Sequence, residues 1–446
     1  MRDIERWLDS SHQRPDGSTA TVPTRWAVLA SGVESTLGQH AKELTTSDDT
    51  VYVVCDDNTL SLSERVERCI ADQGRRVVRH HVANKADGSA PSADDKQTDL
   101  LAGLIDKEDA KLVVSVGAGT INDIAKYASF CRSLPYLSYA TASSMNGYTS
   151  GIAALYVKGL KSTVPCAPPI GVYADPEVIA QAPALMNLAG LGDLCSKPFA
   201  GADASVANLI KGMKAWQLPI QMVEEVFDRT LEDAEKIGQN DAQAVADLME
   251  TLWISGFSML LAGSSAPASG GEHLWSHRLD MERHDAGLPP QALHGTQVGI
   301  ACGLVHPLFV NVAACDDEHV QQALSQTPVE PDPADEDAFR AWFASRHPEL
   351  GETSMNAAIK ESSKKYNRAH RLKTRAGLRE HWSQVREQLQ KAAQHAERVN
   401  QALQLAKAPV VPQDIDVSQE DSDRILGICR DIRDRLTILD LAADIL

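Results

Sequence analysis

Three of the chain's 14 histidines fall in the short segments "SGGEHLWSHRLD" and "ALHGTQVGI". His273 and His277 are four apart, which puts them on one face of a helix, and His294 stands where a second helix begins. Asp193, next to glycine in "AGLGDLCSK", adds a carboxylate. One carboxylate and two imidazoles suit a divalent metal ion and leave it open positions for water or a substrate oxygen. The same spacing also serves a solvated or structural histidine pair, so both readings stand on spacing alone. A HExxH protease is excluded because Glu272 precedes His273 instead of following it, and "GTQVG" lacks the serine of a hydrolase elbow.

A second candidate is "LVVSVGAGTINDIAKYASF", Leu112 to Phe130. Its apolar run ends in Gly117-Ala118-Gly119-Thr120, and helical spacing then places Ile121, Ile124, Ala125 and Ala128 on one side. This predicts a strand, a tight turn and a helix N-terminus, where unpaired N–H groups can receive a phosphate. The turn also serves as a plain strand-to-helix connection, and Asn122 stands where a full dinucleotide fingerprint has its third glycine. In "VVCDDNT", Asp56 lies just past a strand end, where a carboxylate would accept from an adenosine ribose and favour NAD over NADP; a solvated loop aspartate is the alternative.

The elements that must position these residues are legible as pattern. "RWAVLA", "TVYVVC", "RVVRHHV", "LVVSVG", "YLSYAT" and "GVYADP" read as strands interleaved with helices such as "SLSERVERCIADQG", which predicts an α/β Rossmann-like parallel sheet covered on both faces. "NKADGSAPSADDKQ" reads as an exposed loop. From about Pro183 onward only helical patterns remain, among them "PIQMVEEVFDRTLEDAEKIG", "DAQAVADLMETLWISGFSMLLAG" and "GLREHWSQVREQLQKAAQHAERVNQALQLA", joined by the Pro/Asp-rich "SQTPVEPDPADEDAF" and "APVVPQDIDVSQEDSD". The expected division is an α/β dinucleotide-binding domain over residues 1–182 and an all-helical domain over 183–446.

With 61 acidic against 43 basic residues, the formal charge of -18 disfavours nucleic acid and anionic membrane surfaces as partners. No run approaches the roughly 18 apolar residues of a membrane span, and "MRDIERWLDSSHQRPDG" is too polar for a signal peptide. A cytoplasmic location is expected. Eight scattered cysteines without CxxC spacing read as reduced thiols, many of them buried.

Taken in order, "GAGTINDIAKYAS", "TASSMNGYTS", "PPIGVYADPEVIAQAP", "AGLGDLCSK", "SGGEHLWSH" and "HGTQVGIACG" resemble the motifs of the sn-glycerol-1-phosphate dehydrogenases, particularly their bacterial AraM type. The resemblance covers roughly residues 20–305 and implies the dehydroquinate synthase-like fold shared with iron-containing alcohol dehydrogenases, with the active site in a cleft between two domains. It implies that Asp56, Gly117, Ala118, Gly119, Thr120, Ile121, Thr141, Ala142, Ser143, Ser144 and Ser150 bind NAD, with NADP also possible. Asp193, His273 and His294 become ligands of a catalytic Zn²⁺ or Ni²⁺, and Asp193 and His277 contact substrate. The family usually has a substrate-binding aspartate at position 146, where this chain has Asn146. The implied reaction is reversible hydride transfer between dihydroxyacetone phosphate and sn-glycerol 1-phosphate. Asn146 keeps open a related dehydrogenase for another small hydroxyketone or hydroxyaldehyde, and a cyclase or a non-catalytic homologue is the remoter reading. A small phosphorylated substrate needs a local basic group, for which Lys161, Lys197, Lys364, Lys365 and Arg368 are candidates. Assembly as a homo-oligomer is expected.

Overall fold

The computed structural model describes residues 3–85, 88, 90–157, 160–213, 216–326 and 330–446, with the side chains of 160 and 161 left out. Its contacts resolve into two compact units interleaved along the chain. One comprises 1–13, 19–190 and 225–263; the other comprises 14–18, 191–224 and 264–446. The sequence pattern places a single cut after residue 182, whereas the contacts divide the chain at several points, two of them, after 190 and after 224, inside helices.

In the first unit, β1 (Ser10–Gln13) and β2 (Thr19–Val22) form an antiparallel hairpin. There follow β3 (Trp26–Leu29), α1 (Glu34–Leu44), β4 (Thr50–Asp56), α2 (Leu60–Ala71), β5 (Arg76–Val82), α3 (Asp95–Lys107), β6 (Ala110–Gly117), α4 (Gly119–Cys131) and β7 (Tyr136–Ala140). A second hairpin of β8 (Ile152–Val157) and β9 (Leu160–Pro165) precedes β10 (Gly171–Ala174). Six strands pair in the order β3-β10-β7-β6-β4-β5, and every pair is parallel. All six match the expected strands. The pattern does not reveal either hairpin; β1 and β2 are four-residue strands and β1 is polar throughout.

The alternation of strand side chains explains why the central strands read as unbroken apolar runs. Val51, Val53 and Cys55 of β4 pack with Leu37 of α1 and with Val66 and Ile70 of α2, while Tyr52 and Val54 pack with Leu101 of α3 and Ile124 of α4. From β4 the chain proceeds outward to β5, then returns to place β6 on the other side of β4. The strand order therefore reverses between β4 and β6, and a crevice opens at the carboxyl ends of those strands.

The helices continue with α5 (Pro176–Ala180), α6 (Ala184–Cys195), α7 (Lys197–Ile210), α8 (Leu218–Glu232), α9 (Ala234–Gly238) and α10 (Ala242–Ala262). Then come α11 (Gly271–Asp285), α12 (His294–Ala314), α13 (Asp317–Ala323), α14 (Glu336–Arg346), α15 (Glu352–Tyr366), α16 (Arg368–Leu405), α17 (Gln419–Ile428) and α18 (Ile438–Ile445). No strand follows β10 among the described residues, as expected. α16 joins two helical stretches across a kink at His381. Parts of the expected loops at 84–97 and 325–339, namely 86, 87, 89 and 327–329, lie outside the described residues. By length and composition α10 and α12 are apolar enough to cross a membrane, contrary to expectation, but 89% of the qualifying stretch of α10 is buried inside the protein. A core helix accounts for that composition.

In the second unit, Asp431 is fully buried and accepts hydrogen bonds from Arg346 Nε at 2.9 Å, from His347 Nε2 at 3.2 Å and from the Tyr366 hydroxyl. Burial alone would raise its pKa, but the His347 hydrogen bond and the charges of Arg346 and Arg430 outweigh that and hold the carboxyl well below the usual carboxylate range. Asp431→Ala should therefore cost about 3–5 kcal/mol in urea unfolding, because it strands buried donors and charge. The folded pKa lies below the unfolded value of about 3.9, so the stabilisation is complete above that pH and is lost as pH falls toward the folded pKa. The stability gap between wild type and variant should hold at neutral pH and shrink only below about pH 4.

Candidate functional site

In the first unit, the turns that follow β4, β6 and β7 border one cavity of about 680 Å³. Asp56, Ala118 and Thr141 line it from those three strand ends, and Asn58, Thr59, Ser61, Leu62 and Arg65 line it from the start of α2. The turn itself is set by glycine. A Cβ on Gly117 would lie 2.7 Å from Ile121 Cβ, so only glycine lets α4 fold back so tightly on β6. Ala118 caps α4 without a side-chain hydrogen bond, which leaves the first-turn N–H groups to a ligand.

Asp56 is more constrained than its sequence context implies. Its Oδ1 accepts from the backbone N–H groups of Asn58 and Thr59 at 3.1 and 3.0 Å, and Thr59 Oγ1 lies 2.8 Å away. One carboxylate oxygen is thus spent on building the turn, and Oδ2 is the oxygen able to meet a ribose. Arg65, which the sequence reading passed over, shares the cavity wall and pairs with Glu34 Oε1 at 3.0 Å.

The segment after β7 supplies both cavity lining and scaffolding. Thr141 reaches the cavity. Ser143 Oγ instead donates to Val245 O at 2.7 Å, and Ser150 Oγ donates within its own turn to Gly147 O at 3.0 Å. Ala142 is buried, Ser144 is half-buried, and neither joins the cavity lining. Asn146 is half-buried and its Nδ2 donates to Ser255 Oγ of α10 at 3.3 Å. The neighbouring Gly256 admits this contact, since a Cβ there would lie 2.0 Å from Thr149 Oγ1. A Ser-Gly pair inside an otherwise apolar helix is the signal that could have revealed this close approach.

In the second unit the three histidines come together. Ring centroids lie 5.2 Å apart for His273 and His294, 5.3 Å for His277 and His294, and 6.1 Å for His273 and His277. Asp193 is buried, with Oδ1 3.5 Å from His273 Nε2. The bridging contact is backbone on backbone: a Cβ on Gly192 would lie 2.2 Å from Gly295 O and 3.3 Å from Gly299 Cα. Asp193 and His294 are the chain neighbours of those two glycines, so the helix crossing itself brings them together.

Hydrogen bonds fix the imidazole protons. Glu272 Oε1 accepts from His273 Nδ1 at 2.9 Å. Ser276 gives its single proton to Gln297 Oε1 at 2.7 Å, so its hydroxyl accepts from His294 Nδ1 at 2.9 Å; Gln297 is oriented in turn by Asp280. Both rings carry their proton on Nδ1, which makes Nε2 the basic nitrogen. This is the outer-shell arrangement of metal-binding histidines.

Lys197 was expected as a candidate phosphate anchor, and the structure gives it another task. Its Nζ donates to Asp193 Oδ1 at 3.0 Å, Ser196 Oγ at 3.1 Å and Ala268 O at 3.1 Å, which uses all three ammonium protons internally. Burial raises the pKa of Asp193, but the Lys197 ammonium beside it outweighs that, and the carboxyl is held well below the ordinary range. Lys364 pairs with Glu361 on the surface, Lys365 is buried against Asp440, Arg368 is exposed, and the side chain of Lys161 lies outside those described. Among the described residues no three carboxylate, imidazole or thiol groups already stand in a coordinating arrangement. The donor chemistry nonetheless fits a divalent ion, because Asp193 Oδ2 is buried without a hydrogen-bond partner and a basic Nε2 faces the same carboxylate. Two thiols flank this region, Cys195 and Cys302, both buried and both pushed up by that burial.

Residues 28–183 match the family model described as iron-containing alcohol dehydrogenase. The chain is 34% identical to a glycerol-1-phosphate dehydrogenase [NAD(P)+] of Bacillus velezensis, over 58% of this chain and 66% of that relative. It is 30% identical to the enzyme of the same name from Bacillus subtilis, over 70% of this chain and 78% of the relative. The chain belongs to the glycerol-1-phosphate dehydrogenase family. Among solved structures, an archaeal halo-thermophilic alcohol dehydrogenase from a Red Sea brine pool matches with a TM-score of 0.59 at 14% identity, covering 98% of this chain and 100% of the other. That likeness shows that this family member has the iron-containing alcohol dehydrogenase fold.

If the Gly192 crossing positions the Asp193 carboxylate, Gly192→Ala should lower stability by about 2–3 kcal/mol or more, because the new methyl meets backbone that cannot rotate away. Gly427→Ala is the control. A Cβ there meets nothing within 4 Å, so that change should be neutral or stabilising by up to about 1 kcal/mol. Parallel urea titrations of the two variants check this.

Proposed function

We propose that the chain is a metal-dependent, NAD(P)-linked dehydrogenase that interconverts dihydroxyacetone phosphate and sn-glycerol 1-phosphate in the cytoplasm. The observation that carries this reading is the gathering of His273, His277 and His294 beside the buried Asp193 in a member of this family. Asp193, His273 and His294 would hold the divalent ion, and Zn²⁺ and Ni²⁺ both suit a carboxylate with two imidazoles. When bound, the ion supplies Lewis-acid polarisation of a carbonyl and the dinucleotide supplies or accepts the hydride.

The remaining chemistry belongs to the chain's own residues. Glu272 and Ser276 hold the His273 and His294 protons on Nδ1, so each Nε2 is presented as a donor atom without rotation of the ring. His277 is half-buried beside His294 and would take or give the proton of the substrate hydroxyl. The uncapped start of α4 at Ala118-Gly119 receives the dinucleotide phosphates, while Asp56 Oδ2 accepts from a ribose hydroxyl. Because Asn146 gives its Nδ2 to Ser255, its Oδ1 is left as the acceptor for a substrate hydroxyl.

That neutral amide favours a second reading, a related dehydrogenase acting on another small hydroxyketone or hydroxyaldehyde. A neutral acceptor contributes about 1 kcal/mol to a hydrogen bond against roughly 1.5–3 for a charged one, so a vicinal hydroxyl is held less tightly. If dihydroxyacetone phosphate is the substrate, Asn146→Asp should preserve or improve kcat/KM for it. A wild type that oxidises NADH with a different hydroxyketone, and loses that activity in Asn146→Asp, would establish the second reading.

Metal analysis of the purified protein, followed by NADH and NADPH oxidation with dihydroxyacetone phosphate, tests the main proposal. His273→Ala and His294→Ala should each lower kcat/KM by about a thousandfold or more with circular dichroism unchanged, since several kcal/mol of carbonyl polarisation is lost. Chelation should abolish turnover, and added Zn²⁺ or Ni²⁺ should restore it. Full activity in metal-free protein would refute the assignment.

A further inference from the structure

The basic run "KKYNRAHRLKTR", Lys364 to Arg375, holds six lysines and arginines and no acid in a chain of formal charge -18, and the dehydrogenase chemistry gives it no task. In the second unit this run crosses the junction of α15 and α16, where Lys365, His370 and Arg371 line a cavity of about 50 Å³. Lys211, just past the end of α7, and Arg430, in the turn Cys429–Ile432, join them. A water needs about 10–15 Å³ of such space, so the cavity takes about four waters or one phosphate-sized anion and is too small for a nucleotide. It shares no residue with the histidine cluster.

Three of the cations surround one ring. Lys365 Nζ, Arg371 Cζ and Arg430 Cζ lie 6.0, 5.6 and 5.8 Å from the Tyr366 centroid. Carboxylates hold these like charges together: Arg371 pairs with Glu330 and donates Nη2 to Asp444 Oδ1 at 2.8 Å, Lys365 Nζ lies 2.5 Å from Asp440 Oδ1, and Arg430 Nη2 donates to Glu330 Oε1 at 2.9 Å. Asp440 and Asp444 have further fixed donors in Thr437 N–H and Arg375, at 2.9 and 2.8 Å. The cations are not exhausted in the same way. Arg430 Nη1 stands 3.8 Å from Asp440 Oδ1 and its Nε 3.8 Å from Asp431 Oδ1, both beyond hydrogen-bond reach, so among the described residues its fork keeps unspent donors. The side chains of Lys211 and His370 are exposed and have no ion-pair or hydrogen-bond partner among the described residues. One acid of the lining, the exposed Asp434, likewise has no cationic partner among them.

We propose that this cavity is a binding site for inorganic hydrogenphosphate, with Arg430 and Lys211 as donors to its charged oxygens and Asp434 as acceptor for its P–OH. A guanidinium and an ammonium with unspent N–H groups give charge-assisted hydrogen bonds to a phosphate oxygen. The lone carboxylate sets the selectivity. At about pH 8 inorganic phosphate still carries a proton that Asp434 can accept, whereas sulfate and the dianion of a phosphate monoester carry none and meet the aspartate as a like charge.

Calorimetric titration at about pH 8, against chloride of matched ionic strength, reads this with three probes: inorganic phosphate, sulfate and glucose 6-phosphate. Wild type should bind phosphate about tenfold or more tightly than either of the others. Arg430→Gln should raise the phosphate Kd about tenfold or more, and Lys211→Ala at least a few-fold. Asp434→Asn should bring phosphate and sulfate to within about twofold of each other, because the amide no longer repels the unprotonated anion. Arg430 also pairs with Glu330, so its variant could fail to fold; Lys211 and Asp434 are exposed, and their variants keep the test open, with circular dichroism in chloride as the check. Absence of phosphate binding in wild type overturns the proposal, as does a phosphate Kd unchanged in the variants, which would place the anion elsewhere. Equal binding of phosphate, sulfate and glucose 6-phosphate overturns it too, since the site would then hold any dianion.

Discussion

The candidate metal centre depends on one steric fact, that the α6 and α12 backbones meet with no side chain between them. At Gly192 any Cβ would occupy the space of the Gly295 carbonyl oxygen, and Gly299 closes the same contact from the next turn, its own Cβ position lying 3.0 Å from Gly192 Cα. The residues beside these glycines inherit their separation from the crossing. Asp193 follows Gly192 and His294 precedes Gly295, so their placement is a property of backbone and does not rest on loop geometry. Side chains on helices are held more closely than side chains on loops, and Glu272, Ser276, Gln297 and Asp280 then restrict the rings that the helices have brought near.

The cavity at the strand ends rests on a different constraint. A parallel sheet whose order reverses between β4 and β6 leaves the two following helices on opposite faces, and the space at the strand ends is not filled by either connection. The polar groups that border it are already committed to shaping the turn. Asp56 serves as an intraloop acceptor, Thr59 Oγ1 lies 2.8 Å from Val116 O of the adjacent strand, and Gly117 lets Ile121 pack back against the turn. The same residues thus form the local structure and its binding surface, which limits how far they can vary independently.

The strands were legible because parallel sheets buried on both faces impose nearly continuous apolar runs, and "TVYVVC" and "LVVSVG" could hardly be read otherwise. The shared face of His273 and His277 was visible from their helical spacing, and His294 stood out only as a third histidine close by in sequence; the structure brings all three rings together. What the pattern did not disclose depends on contacts distant in sequence. The hydroxyls of Ser143 and Ser150 look like ligand donors in "TASSMNGYTS", yet they serve carbonyls at Val245 and Gly147. Lys197 looks like a surface cation four residues from an aspartate, yet it is buried as that aspartate's counterion. Residues 225–263 read as part of the helical half, but they group by contact with the sheet, because α10 supplies the floor for the segment around Asn146 and Thr149. Pattern reports the environment of an element; it does not report which element provides that environment.

The two thiols near the helix crossing carry a consequence for oxidation. Cys195 on α6 and Cys302 on α12 are buried, and burial keeps both in the protonated form, which is a poor nucleophile toward peroxide or alkylating agents. Neither will be modified while the helices remain together. Their reaction with a small electrophile therefore waits on separation of the packed helices, which makes thiol labelling a clock for opening of the core on which the histidine cluster is built.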